Sequence, residues 1–207
     1  MRKRIFKLTG LFILLSSGYL RGQTSDLQQK AHERIQYFQY GAAQGKDLED
    51  TKKVFEHNSP DEVANAMIAE LNVDRGTVAR NDVRDVAVSS IFKALNLPLA
   101  PVCVALKSAQ SPQRKAQLIT VLRGLSTPEV TNALLAQLKD RRPAVDYIGW
   151  PEEPVKPLRV CDVACDALYY NLGPKGSGRR IGYTSDYDRR DEIIKQTLKE
   201  LKLETPQ

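Results

Sequence analysis

The chain is poor in the side chains from which most catalytic and metal sites are built. Its 207 residues include three cysteines, two histidines and one tryptophan, and aromatic residues make up 7% of the total. Three cysteines close at most one disulfide, so a disulfide framework is excluded. Metal sites need several cysteine, histidine or carboxylate ligands brought together, and no such spacing is present. We therefore expect no metal and no cofactor.

Recognisable catalytic motifs are missing as well. The G-x-S-x-G pattern of a nucleophilic serine does not occur, and no cysteine or serine stands in a nucleophile motif with a histidine. His32 and His57 lie among charged and polar residues, so we expect each on a solvated helix face. The sequence predicts no catalytic residue, and the protein is not expected to be an enzyme.

Strand patterns are nearly absent. No run of four to eight residues alternates apolar and polar side chains between turn signals. Apolar residues recur instead at intervals of three and four, as Leu118, Val121, Leu122 and Leu125 do. The pattern predicts an all-α fold.

Local signals mark where the helices begin. Ser59-Pro60-Asp61-Glu62 combines a capping serine, a proline at the first helical position and a glutamate that reaches back to the cap. Ser111-Pro112 and Thr127-Pro128 repeat part of this pattern. The predicted helices span about 26–44, 47–57, 60–71, 82–95, 99–109, 112–124, 128–139, 158–172 and 188–203.

The N-terminal residues have the pattern of a secretory signal peptide. Four cations within the first seven residues precede a 13-residue apolar stretch at 8–20, and Gly22 is a suitable residue before a cleavage site. The stretch is shorter than the roughly 20 residues of a membrane-spanning helix. We expect cleavage after 1–22, export to the bacterial periplasm or beyond the cell, and a single domain at 23–207. An uncleaved N-terminal anchor is the alternative.

The positive net charge comes largely from this signal. Residues 1–22 hold five of the 31 basic side chains and none of the 25 acidic ones, so the mature chain is close to neutral. Binding to nucleic acid requires a basic patch, and little of the positive charge survives cleavage. We expect no nucleic acid partner and, after cleavage, no stable membrane span.

Three predicted helices begin alike and are separated by shorter helices. The arginines that mark them are Arg84, Arg114 and Arg159. The first two are 30 residues apart and the last two 45, because an insertion at 143–157 lengthens the second interval. A repeating pair of helices indicates a stack in which each pair covers the apolar face of its neighbour.

Residues 82–172 resemble a HEAT-like helical repeat. The resemblance is carried by STPEV from Ser126, LLAQLKDRRP from Leu134, and LRVCDVACDAL from Leu158. It implies a right-handed α-solenoid of stacked antiparallel helix pairs with a binding or scaffolding role, and it implies no catalytic residues. The helix at 188–203, charged on its outer face, is expected to cap the stack.

Two loops hold the candidate binding residues. The insertion 143–157 contains the only tryptophan between prolines that keep the chain extended, and its candidates are Tyr147, Ile148, Trp150, Glu152 and Glu153. A glycine-rich loop after the helix at 158–172 supplies three cations, without the spacing of a P-loop: Lys175, Arg179 and Arg180. The alternatives are that the insertion covers the edge of the stack and that the second loop is a flexible surface loop.

Cys161 and Cys165 lie four residues apart on one helix and share its apolar face. We expect them in the core, where free cysteine behaves as a small apolar residue. A metal or redox pair is the alternative, and a disulfide from Cys103 to either of them stays open.

The sequence thus favours a non-enzymatic module that binds a protein or peptide, of unknown identity, through the concave face of the stack or through the insertion 143–157. Two alternatives remain. One is an enzyme of unknown class, with a loop-built site at the acidic residues near Trp150. The other is a structural component of the cell envelope.

Overall fold

The computed structural model describes residues 26–38, 45–71, 83–145, 156–174, 181 and 186–203, and these residues are mostly helical. The helices are α1 (26–38), α2 (Gly45–Phe55), α3 (Pro60–Glu70), α4 (Val83–Leu95), α5 (Ala100–Ser108), α6 (Pro112–Leu122), α7 (Pro128–Ala136), α8 (Val160–Leu172) and α9 (Tyr187–Glu200). A short 3₁₀ helix, Gln137–Lys139, follows α7. The predicted signal at 1–22 lies outside the described residues.

Three helices begin at the caps predicted from the sequence. The Ser59 hydroxyl accepts a hydrogen bond from the Glu62 backbone N–H, and the Glu62 carboxylate accepts one from the Ser59 backbone N–H at 2.9 Å. The Ser111 and Thr127 hydroxyls cap α6 and α7 by accepting a hydrogen bond from the backbone N–H three residues later, and each is followed by a proline. These contacts satisfy N–H groups that the first turn of a helix cannot bond internally.

The helices pack in two rows. α6 packs between α4 and α8, while α5 packs between α3 and α7. Neighbours across the rows also contact each other, α5 with α6 and α7 with α8, and α9 continues the packing on α8. The three arginine-marked segments, which become α4, α6 and the start of α8, therefore lie side by side.

One cluster of buried apolar side chains runs through these helices. It extends from Ile35 in α1 through Ile91 and Leu118 to Leu168 and Leu198, the last of them in α9. Most members lie at the three- and four-residue spacing seen in the sequence. Burial of this face, at roughly 25 cal/mol for each Å² of apolar surface, is the main contribution that holds the rows together.

Two short strands occur in a chain that is otherwise mostly helical, in agreement with the prediction that strands are nearly absent. Pro143–Val145 (β1) pairs antiparallel with Leu158–Arg159 (β2), so α8 begins at Val160 and not at 158. The strands are too short to show an alternating pattern, and each depends on a partner beyond the insertion. Their pairing brings the two ends of the insertion together at its base.

A charged cluster supports the turn before β1. The Asp140 carboxylate accepts hydrogen bonds from Arg142 Nη2 at 2.7 Å and from Lys115 Nζ at 2.9 Å. These cations hold the pKa of Asp140 well below its usual range. The Asp140 carbonyl also accepts a bond from the Cys161 N–H at 3.0 Å, which fixes the first turn of α8 against this turn.

Candidate functional site

The loop residues predicted to bind a partner lie outside the described residues. This holds for Tyr147, Ile148, Trp150, Glu152 and Glu153 of the insertion and for Lys175, Arg179 and Arg180 of the glycine-rich loop. The described part of the chain shows where the two loops begin: one at β1, the other after Gly173, which ends α8. The candidate site described below was not predicted from the sequence.

A cleft of about 240 Å³ lies where α4, the end of α6 and α8 meet, and we call it the α4–α6–α8 cleft. Its lining combines two cations, three hydroxyl-bearing residues, one aromatic ring and one aliphatic side chain. The lining residues are Val86, Ser89, Ser90, Lys93, Thr120, Arg123 and Tyr170. No carboxylate is among these described residues.

Lys93, Arg123 and Tyr170 come from corresponding places in the three helices. Lys93 lies in the last turn of α4, Arg123 directly follows α6, and Tyr170 lies in the last turn of α8. Because the helices of this row are neighbours, the ends of all three meet at the cleft. Cations are also favoured at this end of a helix, where the backbone carbonyls lack internal partners.

Arg123 and Tyr170 form a stacked pair. The Arg123 Cζ atom lies 4.5 Å from the centroid of the Tyr170 ring, within the range of a cation–π contact. The backbone carbonyl of Arg123 accepts a hydrogen bond from the Ser89 hydroxyl of α4 at 3.3 Å. Both contacts hold the turn after α6 against its two neighbouring helices.

Asn171 of α8 fixes the same turn through three hydrogen bonds. Its amide nitrogen donates to the Leu122 carbonyl at 3.1 Å and to the Leu125 carbonyl at 2.9 Å, while its amide oxygen accepts from the Gly124 N–H. Gly124 has φ of +81°, a left-handed conformation that favours glycine. Arg123, next to this glycine, is therefore held in place by hydrogen bonds from α8.

The Lys93 ammonium lies directly over Gly124. A Cβ atom at Gly124 would come within 2.5 Å of Lys93 Nζ and 3.2 Å of a Tyr170 ring carbon. Partial burial, and next the positive charge of Arg123, lower the pKa of Lys93. Lys93 and Arg123 thus both lie in the cleft, close enough for the charge of one to affect the pKa of the other.

Two side chains of the cleft lining expose apolar surface. Val86 is 45% exposed and Tyr170 is 51% exposed. An aromatic ring and aliphatic side chains beside an arginine are the composition of binding hot spots. The arrangement suits recognition of a partner, since hydroxyls, cations and an exposed ring all face one opening.

His32 has a buried partner that the sequence did not predict, although its own side chain is 43% exposed. His57 is exposed, but His32 Nδ1 lies 2.7 Å from a carboxylate oxygen of the buried Glu70. The same oxygen accepts a hydrogen bond from the buried Arg84. This contact ties α1 to α3 and α4, and the sequence could not predict it because His32 and Glu70 are 38 residues apart.

All three cysteines are free and buried, which confirms the core position expected for Cys161 and Cys165, and the described structure contains no disulfide from Cys103 to either of them. Burial raises the pKa of the Cys161 thiol to about 12 and that of Cys103 to about 11. Thiols with raised pKa values are poor nucleophiles and poor metal ligands. Among the described residues, no group of three or more potential metal ligands comes together.

A buried network of charges joins α8 and α9. Arg159 Nη2 donates to Asp162 at 2.9 Å and to Asp191 at 2.6 Å. Arg190, which is fully buried, donates to Asp162 at 3.2 Å and to the Pro157 carbonyl at 2.7 Å. Both guanidinium groups also lie over the Tyr187 ring. Because these groups bind each other inside the protein, we assign the network to stability and not to a site.

A second opening, of about 540 Å³, lies beside α1 and α3. Its charged groups are largely occupied within the chain. Asp26 pairs with Lys30 at 2.7 Å, and Glu62 is engaged in the helix cap of Ser59. The α4–α6–α8 cleft, whose described lining combines cations, hydroxyls and an exposed ring, therefore offers the clearer recognition chemistry.

Comparison with known proteins adds no assignment: no protein-family model, no curated protein and no solved structure matches the chain. Within the described ranges, no helix is long and apolar enough to cross a membrane.

Proposed function

We propose that this protein is an exported, non-enzymatic scaffold of the HEAT-like helical repeat type that binds a protein or peptide partner across α4, α6 and α8. In this proposal the two rows of helices are the two sides of a right-handed α-solenoid. The pairs in contact are α5 with α6 and α7 with α8, and α9 caps the end. Solenoids of this kind use one extended face for binding.

The observation that carries the proposal is the α4–α6–α8 cleft. It draws cations, hydroxyls, an exposed ring and exposed aliphatic surface from three neighbouring helices. Arg123 and Tyr170 are stacked on each other at its centre, and Asn171 and Gly124 fix the turn that carries them. Side chains held in place before binding lose less conformational entropy when a partner arrives, which favours recognition.

Export is part of the proposal because of the pattern at 1–22. A basic start and a short apolar stretch support a cleaved signal peptide and a partner in the periplasm or outside the cell. The insertion 143–157, whose ends β1 and β2 bring together, would be a second contact region for the same partner.

Site-specific photo-crosslinking tests the proposal. A photoreactive amino acid at Val86 lies beside the cleft, and the same amino acid at Val104 of α5 gives a matched control, since Val104 is 66% exposed in the other row. In the native host, position 86 should give one discrete adduct and position 104 none. An excess of unlabelled protein should abolish the adduct. Equal adducts at both positions, or none at either, would contradict a binding role for this face.

A further inference from the structure

Lys93 of the α4–α6–α8 cleft has an amine that no described carboxylate holds. With the other described residues it forms no hydrogen bond and no ion pair, whereas Lys30 is held by Asp26 at 2.7 Å and Lys115 by Asp140 at 2.9 Å. Its side chain also reaches solvent at the opening of the cleft. A lysine amine in this situation acts as a nucleophile once it has lost its proton.

The surroundings of Lys93 favour that loss. Its Nζ atom lies against the turn at Gly124, where a Cβ atom would come within 2.5 Å of it, and beside the Tyr170 ring. The turn itself is held by the hydrogen bonds of Asn171. Burial against these groups, and next the positive charge of Arg123, lower the pKa of Lys93. The neutral amine is therefore more populated near neutral pH than in an ordinary lysine.

The rest of the cleft lining indicates which ligands fit beside this amine. Ser89, Ser90 and Thr120 each donate the hydroxyl proton to a backbone carbonyl, at 3.3, 3.0 and 3.0 Å, and their oxygens still have lone pairs that accept hydrogen bonds. A ligand with hydroxyl groups donates to such oxygens. The volume of about 240 Å³ limits that ligand to a small molecule.

We infer that Lys93 is a covalent binding site for a small hydroxylated aldehyde or ketone, which forms an imine with its amine in the α4–α6–α8 cleft. The amine nitrogen bonds to the carbonyl carbon, and the carbonyl oxygen becomes a hydroxyl by taking a proton from the nitrogen. That hydroxyl leaves with the second nitrogen proton as water, and a C=N bond remains, so no oxidant or reductant is needed. This covalent binding is separate from the proposed recognition of a partner protein and involves no turnover.

Reductive trapping tests the imine. The purified protein is treated with glycolaldehyde and sodium cyanoborohydride, and peptide mass spectrometry measures how fast each lysine gains a hydroxyethyl group. Lys107 of α5, which is exposed, is the comparator in the same sample. At neutral pH, Lys93 should be modified about threefold or more faster than Lys107, because more of its amine is neutral. The difference should shrink as the pH is raised.

Matched variants and a matched aldehyde separate the cleft from general reactivity. R123Q removes the neighbouring cation and should lower the ratio of the two rates, while R123K keeps the charge and should maintain it. K195Q removes an exposed cation from α9 and should leave the ratio unchanged. Propionaldehyde, which has a methyl group in place of the hydroxyl of glycolaldehyde, should modify Lys93 with a smaller preference. Circular dichroism melting establishes that each variant is folded.

The outcomes are distinct. Equal rates at Lys93 and Lys107 at neutral pH overturn the covalent site, and so does an equal fall of the ratio in R123Q and K195Q. An equal preference for Lys93 with both aldehydes overturns the assignment to a hydroxylated ligand. If R123Q does not fold, the parent protein with the two aldehydes still decides. The crosslinking at Val86 tests the proposed function by itself, so either proposal can fail while the other stands.

Discussion

Gly124 shows how one residue shapes the cleft. Its φ of +81° lets the chain turn directly after α6, and its missing side chain leaves room for the Lys93 ammonium and the Tyr170 ring. Asn171 binds the backbone on both sides of it. The left-handed turn after α6 and the position of the Lys93 ammonium therefore both depend on Gly124.

Substituting Gly124 should affect stability and binding differently. Gly124→Ala introduces a left-handed alanine and should cost about 1–2 kcal/mol in the free energy of unfolding, measured by urea denaturation. Gly124→Asn should cost less, because asparagine adopts this conformation more readily. Both add a Cβ that displaces Lys93, so both should lower the yield of the adduct formed at Val86. An alanine variant as stable as the parent would contradict the account of this turn.

The cysteines give a second prediction at this scale. All three are buried, and the pKa values of Cys103 and Cys161 are raised by burial to about 11 and about 12. Iodoacetamide at mildly alkaline pH should therefore leave the native protein unmodified, because little thiolate is present or accessible. Intact-mass measurement should show three labels in denaturant without reductant. Rapid labelling of the native protein would support a redox pair, and fewer than three labels after denaturation would reveal a disulfide.

At the scale of elements, α9 is held on α8 by buried charges as well as by apolar contacts. Asp162 receives hydrogen bonds from Arg159 and Arg190, and neither Asp162 nor Arg190 is exposed. Arg190 also binds the Lys156 carbonyl at 2.8 Å, at the far end of the insertion. The last helix, the start of α8 and the end of the insertion are thus joined through Arg190 and its partner Asp162.

Asp162→Asn should destabilise the protein by about 3 kcal/mol, since it leaves two buried guanidinium groups without their shared carboxylate. Glu192→Gln on the exposed side of α9 is the control and should change the free energy of unfolding by less than about 0.5 kcal/mol. Urea denaturation of both variants measures the difference. Similar stability of the two variants would show that this network does not hold α9.

Local signals predicted the elements well, and contacts distant in sequence were missed. The starts of α3, α6 and α7 were predicted because cap, proline and glutamate lie within a few residues of each other. β1 and β2 were missed because each depends on a partner across the insertion. The same holds for the contact of His32 with Glu70.

At the scale of the whole molecule, the sequence predicted which helices lie next to each other better than it predicted which residues line the cleft. Arg84, Arg114 and Arg159 correctly marked three helices that lie in one row. The same spacing could have predicted the cleft, because Lys93, Arg123 and Tyr170 lie at the ends of those three helices. The sequence favoured the insertion 143–157 as the binding region because tryptophan in a long loop is a common sign of binding.

The row of α4, α6 and α8 as the binding face is the central claim, and hydrogen–deuterium exchange of the mature protein, with and without the partner captured at Val86, tests it most directly. The account predicts slower exchange in the last turn of α4, the turn after α6 and the end of α8. It predicts unchanged exchange in α3, α5 and α7. Protection centred on α3, α5 and α7, or no protection anywhere, would contradict it.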